Sequence, residues 1–160
     1  MTGTTYQERR AARLDDPRFE KFRNPVARRR LAAGLIALLV VEAGLFLLMD
    51  VSPVGAAVGM AVVVVAFVLL LGALKASTRG VEELTGEVLD ERQAQVRGEV
   101  YATAYKVGSG LLVLGLAVVL LWTQIDLPAP GAGLVAGALV LPFHVAIVLP
   151  TLVAALRADV

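Results

Sequence analysis

A carboxylate, Glu42, sits inside the apolar run "LLVVEAGLFLLMD", and an imidazole, His144, the single histidine of the chain, sits inside "LVLPFHVAIVLP". These two groups can share a proton, as a charged pair or as a neutral hydrogen bond, and each titrates when its surroundings shift it. If both runs cross a bilayer, Glu42 lies twelve residues beyond Arg30, about 18 Å deep, and His144 thirteen residues before Arg157, about 20 Å deep. The depths coincide. An unpaired charge there costs about 2.5–3.5 kcal/mol on insertion scales, so a partner is expected for Glu42. Two roles remain open for such a pair, a proton or cation relay and a polar clasp that fixes helix pairing.

Other chemistry is sparse. The chain has no cysteine and one histidine, which leaves too few ligands for a transition-metal site and no thiol nucleophile. Walker, HExxH, GxSxG and dinucleotide-binding patterns are missing, and neither Ser109 nor Thr151 has an evident base. The expectation is a non-enzymatic protein without metal or cofactor.

The elements that must position Glu42 and His144 follow from composition. Of 160 residues 58% are hydrophobic, and the mean hydropathy is +0.75, too apolar for an ordinary soluble domain. Four segments carry the bias: Leu31–Met49, Val54–Leu74, Val107–Thr123 and Gly131–Leu156. Each approaches the roughly 17–25 residues that cross a hydrocarbon core, and none has the polar stripe of a surface helix. The first should stay in the mature chain, because the polar stretch before it is too long for a signal peptide.

Net charge is only +1, but its distribution is one-sided. Lys and Arg fall in residues 1–30, in the linker 75–106 and at Arg157, whereas Asp50–Pro53 and Gln124–Pro130 contain none. The positive-inside rule puts both termini and the linker in the cytoplasm of a cell-membrane protein. Short joints make neighbouring spans antiparallel. The expected fold is therefore an all-α, integral membrane four-helix bundle of two antiparallel hairpins, with a cytoplasmic helical extension before the third span.

In the basic tail, Thr5 to Glu8 fits a capping box for a short helix to about Leu14, broken at Asp15-Asp16-Pro17. Phe19 and Phe22 alternate with basic residues, and Arg28, Arg29 and Arg30 form a cluster suited to anionic lipid. Nucleic acid is not an expected partner of a patch held against a membrane. In the linker, Leu89, Val96, Val100 and Val107 recur at helical spacing, so an amphipathic helix should run into the third span unless Gly80, Gly86 or Gly98 breaks it.

Asp90, Glu91 and Arg92, with the charged helix after them, resemble a loose group of small bacterial membrane proteins of unknown function that carry an Asp-Glu-Arg loop. The resemblance covers roughly Leu89 to Trp122. It implies a four-span fold in a bacterial inner membrane, no established activity and, in some relatives, a neighbouring gene for a small helix-turn-helix regulator. On their own physics, Asp90, Glu91, Arg92 and Arg97 form either a solvated charged turn or a surface on which a protein partner docks.

Small residues mark possible helix contacts: Gly55, Gly59, Ala66 and Ala73 in the second span, Gly108 and Gly115 in the third, and Gly133 and Gly137 in line with His144 and Thr151 in the fourth. Such stripes also permit a homodimer. In the first span, Gly34, Ala37, Val41 and Gly44 form a stripe from which Glu42 is displaced by roughly 120°. Pro142 and Pro150 should each free a carbonyl, near Ala138 and Ala146, and kink the fourth span or be absorbed by packing.

Overall fold

Asn24 and Pro25 decide where the first long helix begins. The Asn24 side-chain oxygen accepts from the Ala27 N–H at 2.7 Å, and Pro25 occupies the first helical position, where its missing N–H costs nothing. A computed structural model of the chain describes residues 6, 9, 16–78, 89, 91–125 and 128–157. Within them a 3₁₀ turn, Pro17–Phe22, precedes four helices: α1, Pro25–Leu48; α2, Pro53–Ser77; α3, Glu91–Trp122; and α4, Ala132–Arg157. All four are long and apolar enough to cross a membrane, the pattern of a multi-pass membrane protein. Most of the expected Thr5–Leu14 helix, the linker residues 79–88 and Asp90 lie outside the described residues.

The helices overrun the apolar segments. α1 starts before Leu31, so Arg28, Arg29 and Arg30 belong to its first turns rather than to a tail. α2 continues to Ser77, where the Ser77 and Thr78 hydroxyls donate to the Leu74 and Lys75 carbonyls at 2.7 and 3.1 Å and satisfy the helix end. α3 passes Gly98 without a break and, with 32 residues, is about 48 Å long at 1.5 Å per residue. α4 stays continuous through Pro142 and Pro150.

Paired contacts give the directions. Gly34 lies against Leu70 and Gly59 against Leu45, so α1 and α2 run oppositely; Gly108 against Ala146 and Gly115 against Ala138 show the same for α3 and α4. α1 also packs along α4, where Phe46 covers Gly137. The heart of the molecule is thus α1, α2 and α4, with Leu35, Phe67, Leu74, Val148 and Leu152 in one core cluster. α3 packs chiefly on α4, and an apolar hollow of about 360 Å³ separates it from α1, floored by Gly137 and Pro142.

The packing face of α1 differs from the small-residue stripe. Ala37, Val41 and Gly44 are exposed, and only Gly34 of that stripe meets another helix. The buried face is Arg28, Ala32, Leu35, Glu42 and Phe46. In lipid an apolar face can point outward at no cost, so small size alone does not select the face that packs. In α2, likewise, Gly59 meets Leu45 of α1, but Gly55 meets only Ser52 of the adjoining turn; the buried line is Ala56, Val63, Phe67 and Leu74.

The α3–α4 turn is closed by the Trp122 indole N–H, which donates to the Pro128 carbonyl at 3.0 Å. A second joint links elements far apart in sequence. Asp50, just past α1, accepts from the Gly133 N–H through Oδ1 at 3.1 Å and so caps α4. A carboxylate at a helix N-terminus satisfies a free donor and complements the helix dipole. Asp50→Ala is expected to lower stability by about 1 kcal/mol, with Asp50→Asn losing less, in thermal unfolding followed by circular dichroism.

Candidate functional site

Glu42 lies on the buried stripe of α1 in register with Arg28 and Leu35 at intervals of seven, which resolves its offset from the small-residue stripe. Its residue is 4% exposed. On α4 the stripe Gly133, Gly137, His144 and Thr151 turns toward α1, and the two glycines let the α1 backbone come close: Gly133 faces the Phe46 carbonyl. That approach brings His144 Nδ1 to 2.8 Å from Glu42 Oε2. The distance suits either protonation pattern, Nδ1–H donating to a carboxylate or a carboxylic O–H donating to Nδ1.

A third helix completes the site. The Phe67 ring of α2 stands 4.3 Å from the imidazole, centroid to centroid, tilted by 48°. This packing fixes the imidazole plane and covers the pair from the α2 side. Sequence reasoning passed over Phe67, although it sits on the line Ala56, Val63, Phe67 and Leu74, whose spacing of seven, four and seven marks a helix-packing face. Among the described residues, neither Glu42 nor His144 makes an onward hydrogen bond.

The other candidate residues separate. Arg29 and Arg30 are exposed at the start of α1, whereas Arg28 is turned into the protein. Glu91 and Arg92 are exposed on the first turn of α3. Arg97 is half-buried, with its guanidinium over the Tyr101 ring at 5.6 Å. Two turns into α3, Glu99 reaches Arg157 at the end of α4, 3.7 Å apart and solvent-facing. Such a pair contributes little stability, but it marks where the charged half of α3 leaves α4.

No group of three or more metal-ligating side chains occurs among the described residues. Comparison with protein-family models, curated proteins and solved structures finds no match to this chain.

Proposed function

We propose that this chain is a non-enzymatic membrane protein that recruits a protein partner at the cytoplasmic face, as a regulatory, scaffolding or accessory subunit. One observation carries the reading: α3 is a single helix about 48 Å long, against a hydrocarbon core of about 30 Å. Its surplus holds Glu91, Arg92, Arg97 and Glu99, and continuity with the membrane-embedded half gives these charges a fixed position. The asymmetry of basic residues supports a cytoplasmic location for this extension and both termini. The Glu42–His144 pair then serves as the clasp that joins α1 to α4.

The test is charge reversal at Asp90, Glu91 and Arg92 together, followed by gentle-detergent purification from native membranes. A near-stoichiometric partner of the wild-type protein should disappear while the helical content and melting temperature stay unchanged. Retention of every partner would remove this surface from the role.

A second reading, a small proton-coupled transporter or channel, is favoured by the Glu42–His144 contact itself. It predicts that Glu42→Gln abolishes flux in proteoliposomes. It ranks below recruitment because the pair has no onward protein group among the described residues to receive a proton.

A further inference from the structure

α3 and α1 leave an apolar hollow of about 360 Å³ between them. Its floor is buried: Gly115 of α3, Gly137 of α4 and Phe46 of α1, two of which bring no side chain to fill it. Its rim is not. Leu47, Leu114 and Val118 are 61%, 59% and 42% exposed, so the hollow opens sideways. In a helix bundle that crosses a membrane, that opening faces hydrocarbon rather than water, and the molecules it meets are lipids.

Length and charge identify the occupant. On α4 the hollow extends from Gly133, beside the joint, to Pro142, nine residues further on, about 14 Å at 1.5 Å per residue. Half of a hydrocarbon core of about 30 Å is about 15 Å, the depth of one acyl chain in one leaflet. Apolar cavities of about 150 Å³ already take up benzene, and this one has more than twice that volume. At its mouth stands Asp50, three residues past Leu47 and bonded through Oδ1 to the Gly133 N–H. Among the described residues Oδ2 has no donor. The chain places no Lys or Arg beside it. Segments 49–54 and 123–131 contain none, and Arg30, Lys75, Lys106 and Arg157 each lie sixteen or more residues from this end of their helices, about 24 Å or more.

We propose that this hollow binds one acyl chain of a zwitterionic phospholipid with a primary amine headgroup, and that the ammonium donates to the free oxygen of Asp50. A primary ammonium offers three N–H donors to a carboxylate, a quaternary one offers none, and an anionic headgroup is repelled. The site lies in the leaflet at the two short joints, at the opposite end of the bundle from the charged extension of α3. It does not depend on the recruitment reading.

The full-length chain, stripped of lipid in neutral detergent, is titrated with phosphatidylethanolamine, phosphatidylcholine and phosphatidylglycerol of one acyl composition. Native mass spectrometry counts the lipid retained. Trp122, one turn beyond Val118 on the same face of α3, reports its place when the phosphatidylethanolamine is brominated in the upper acyl chain. One phosphatidylethanolamine should remain per chain, retained about threefold more than either other lipid, and its brominated form should quench Trp122. Asp50→Asn should keep a lipid but reduce the preference to under about 1.5-fold. Ala43→Phe, which fills the hollow from α1, should weaken retention of all three by about fivefold or more. Equal retention of the three lipids by wild type, unquenched Trp122 or a lipid-free dimer overturns the proposal, and so does an Ala43→Phe variant that retains lipid like wild type. The wild-type comparisons decide even if Ala43→Phe does not fold.

Discussion

His144→Ala is expected to destabilise the protein by about 3 kcal/mol, because it strands Glu42 between helices with nothing to share its proton or charge. Glu42 is buried, and His144 Nδ1, 2.8 Å away, is its one hydrogen-bond partner among the described residues. Truncation also removes the ring that packs on Phe67, so α1, α2 and α4 all lose contact at one level. Glu42→Gln should cost less, about 1 kcal/mol, since an amide can still bond to the imidazole and hydrogen bonds in membrane interiors are modest. Replacing both partners with leucine should recover most of the loss, to within about 1 kcal/mol of wild type, because no polar group is then left stranded. Reversible unfolding in mixed micelles, followed by far-UV circular dichroism, gives all three values relative to wild type. A His144→Ala variant as stable as wild type would remove the clasp role. The double leucine variant has a second use: if it folds and still recruits the wild-type partner, the pair is structural, and if it folds but loses a measurable flux, the transport reading gains.

The depth of Glu42 and His144 is legible in the sequence because helical rise is fixed, so counting residues from Arg30 and from Arg157 gives two matching depths. Their contact is not legible. It depends on which face of α1 turns inward, and in a helix apolar on every side the usual signal, an apolar stripe against a polar one, is absent. The small residues Gly34, Ala37, Val41 and Gly44 offered a substitute and pointed the wrong way, since lipid accepts a face of small residues as readily as another helix does. The better guide lay in the polar positions: Arg28 and Glu42, two intervals of seven residues apart, bracket Leu35 on one line that runs along the buried face. On α3 and α4, by contrast, Gly108, Gly115, Gly133 and Gly137 all mark close helix contacts. The cap that Asp50 provides to α4 could not be read, because its partner Gly133 is 83 residues away and the loop between α1 and α2 explains Asp50 equally well as a turn residue.

Those glycines lead to the second large effect. Pro142 and Pro150 each deprive a carbonyl four residues earlier of its helical N–H partner, at Ala138 and Ala146. α3 meets these two places with its two buried glycines: Gly115 faces the Ala138 carbonyl and the Pro142 ring, and Gly108 lies on Ala146. Weak Cα–H···O=C contacts form at helix crossings of this kind and offset part of a lost backbone bond. At Pro142 the proline of α4 and the glycine of α3 are thus one device, since Gly115 faces the Ala138 carbonyl that the proline frees, whereas Gly108 meets the Ala146 Cβ and Cα beside the second proline.

A side chain at position 115 cannot be accommodated by a rotamer change, because a Cβ there runs into main-chain Ala138 as well as lying 2.9 Å from Pro142 Cγ. α3 must lift away from α4, and it has no comparable contact with α1 or α2 among the described residues. Gly115→Val is therefore expected to cost about 3 kcal/mol, the upper range for overpacking, and to loosen α3 as a unit. Trp122, the single tryptophan, ends α3 and reports this directly, since separation of the helices should shift its emission at denaturant concentrations where circular dichroism is still native. Gly110→Ala on the same helix is the control. Nothing lies within 4 Å of a Cβ there, so alanine should be neutral or stabilising by about 0.5–1 kcal/mol through helix propensity alone. If Gly115→Val and Gly110→Ala behave alike, α3 is not held to α4 through Gly115, and the fixed position of its charged extension, on which recruitment rests, loses its physical basis.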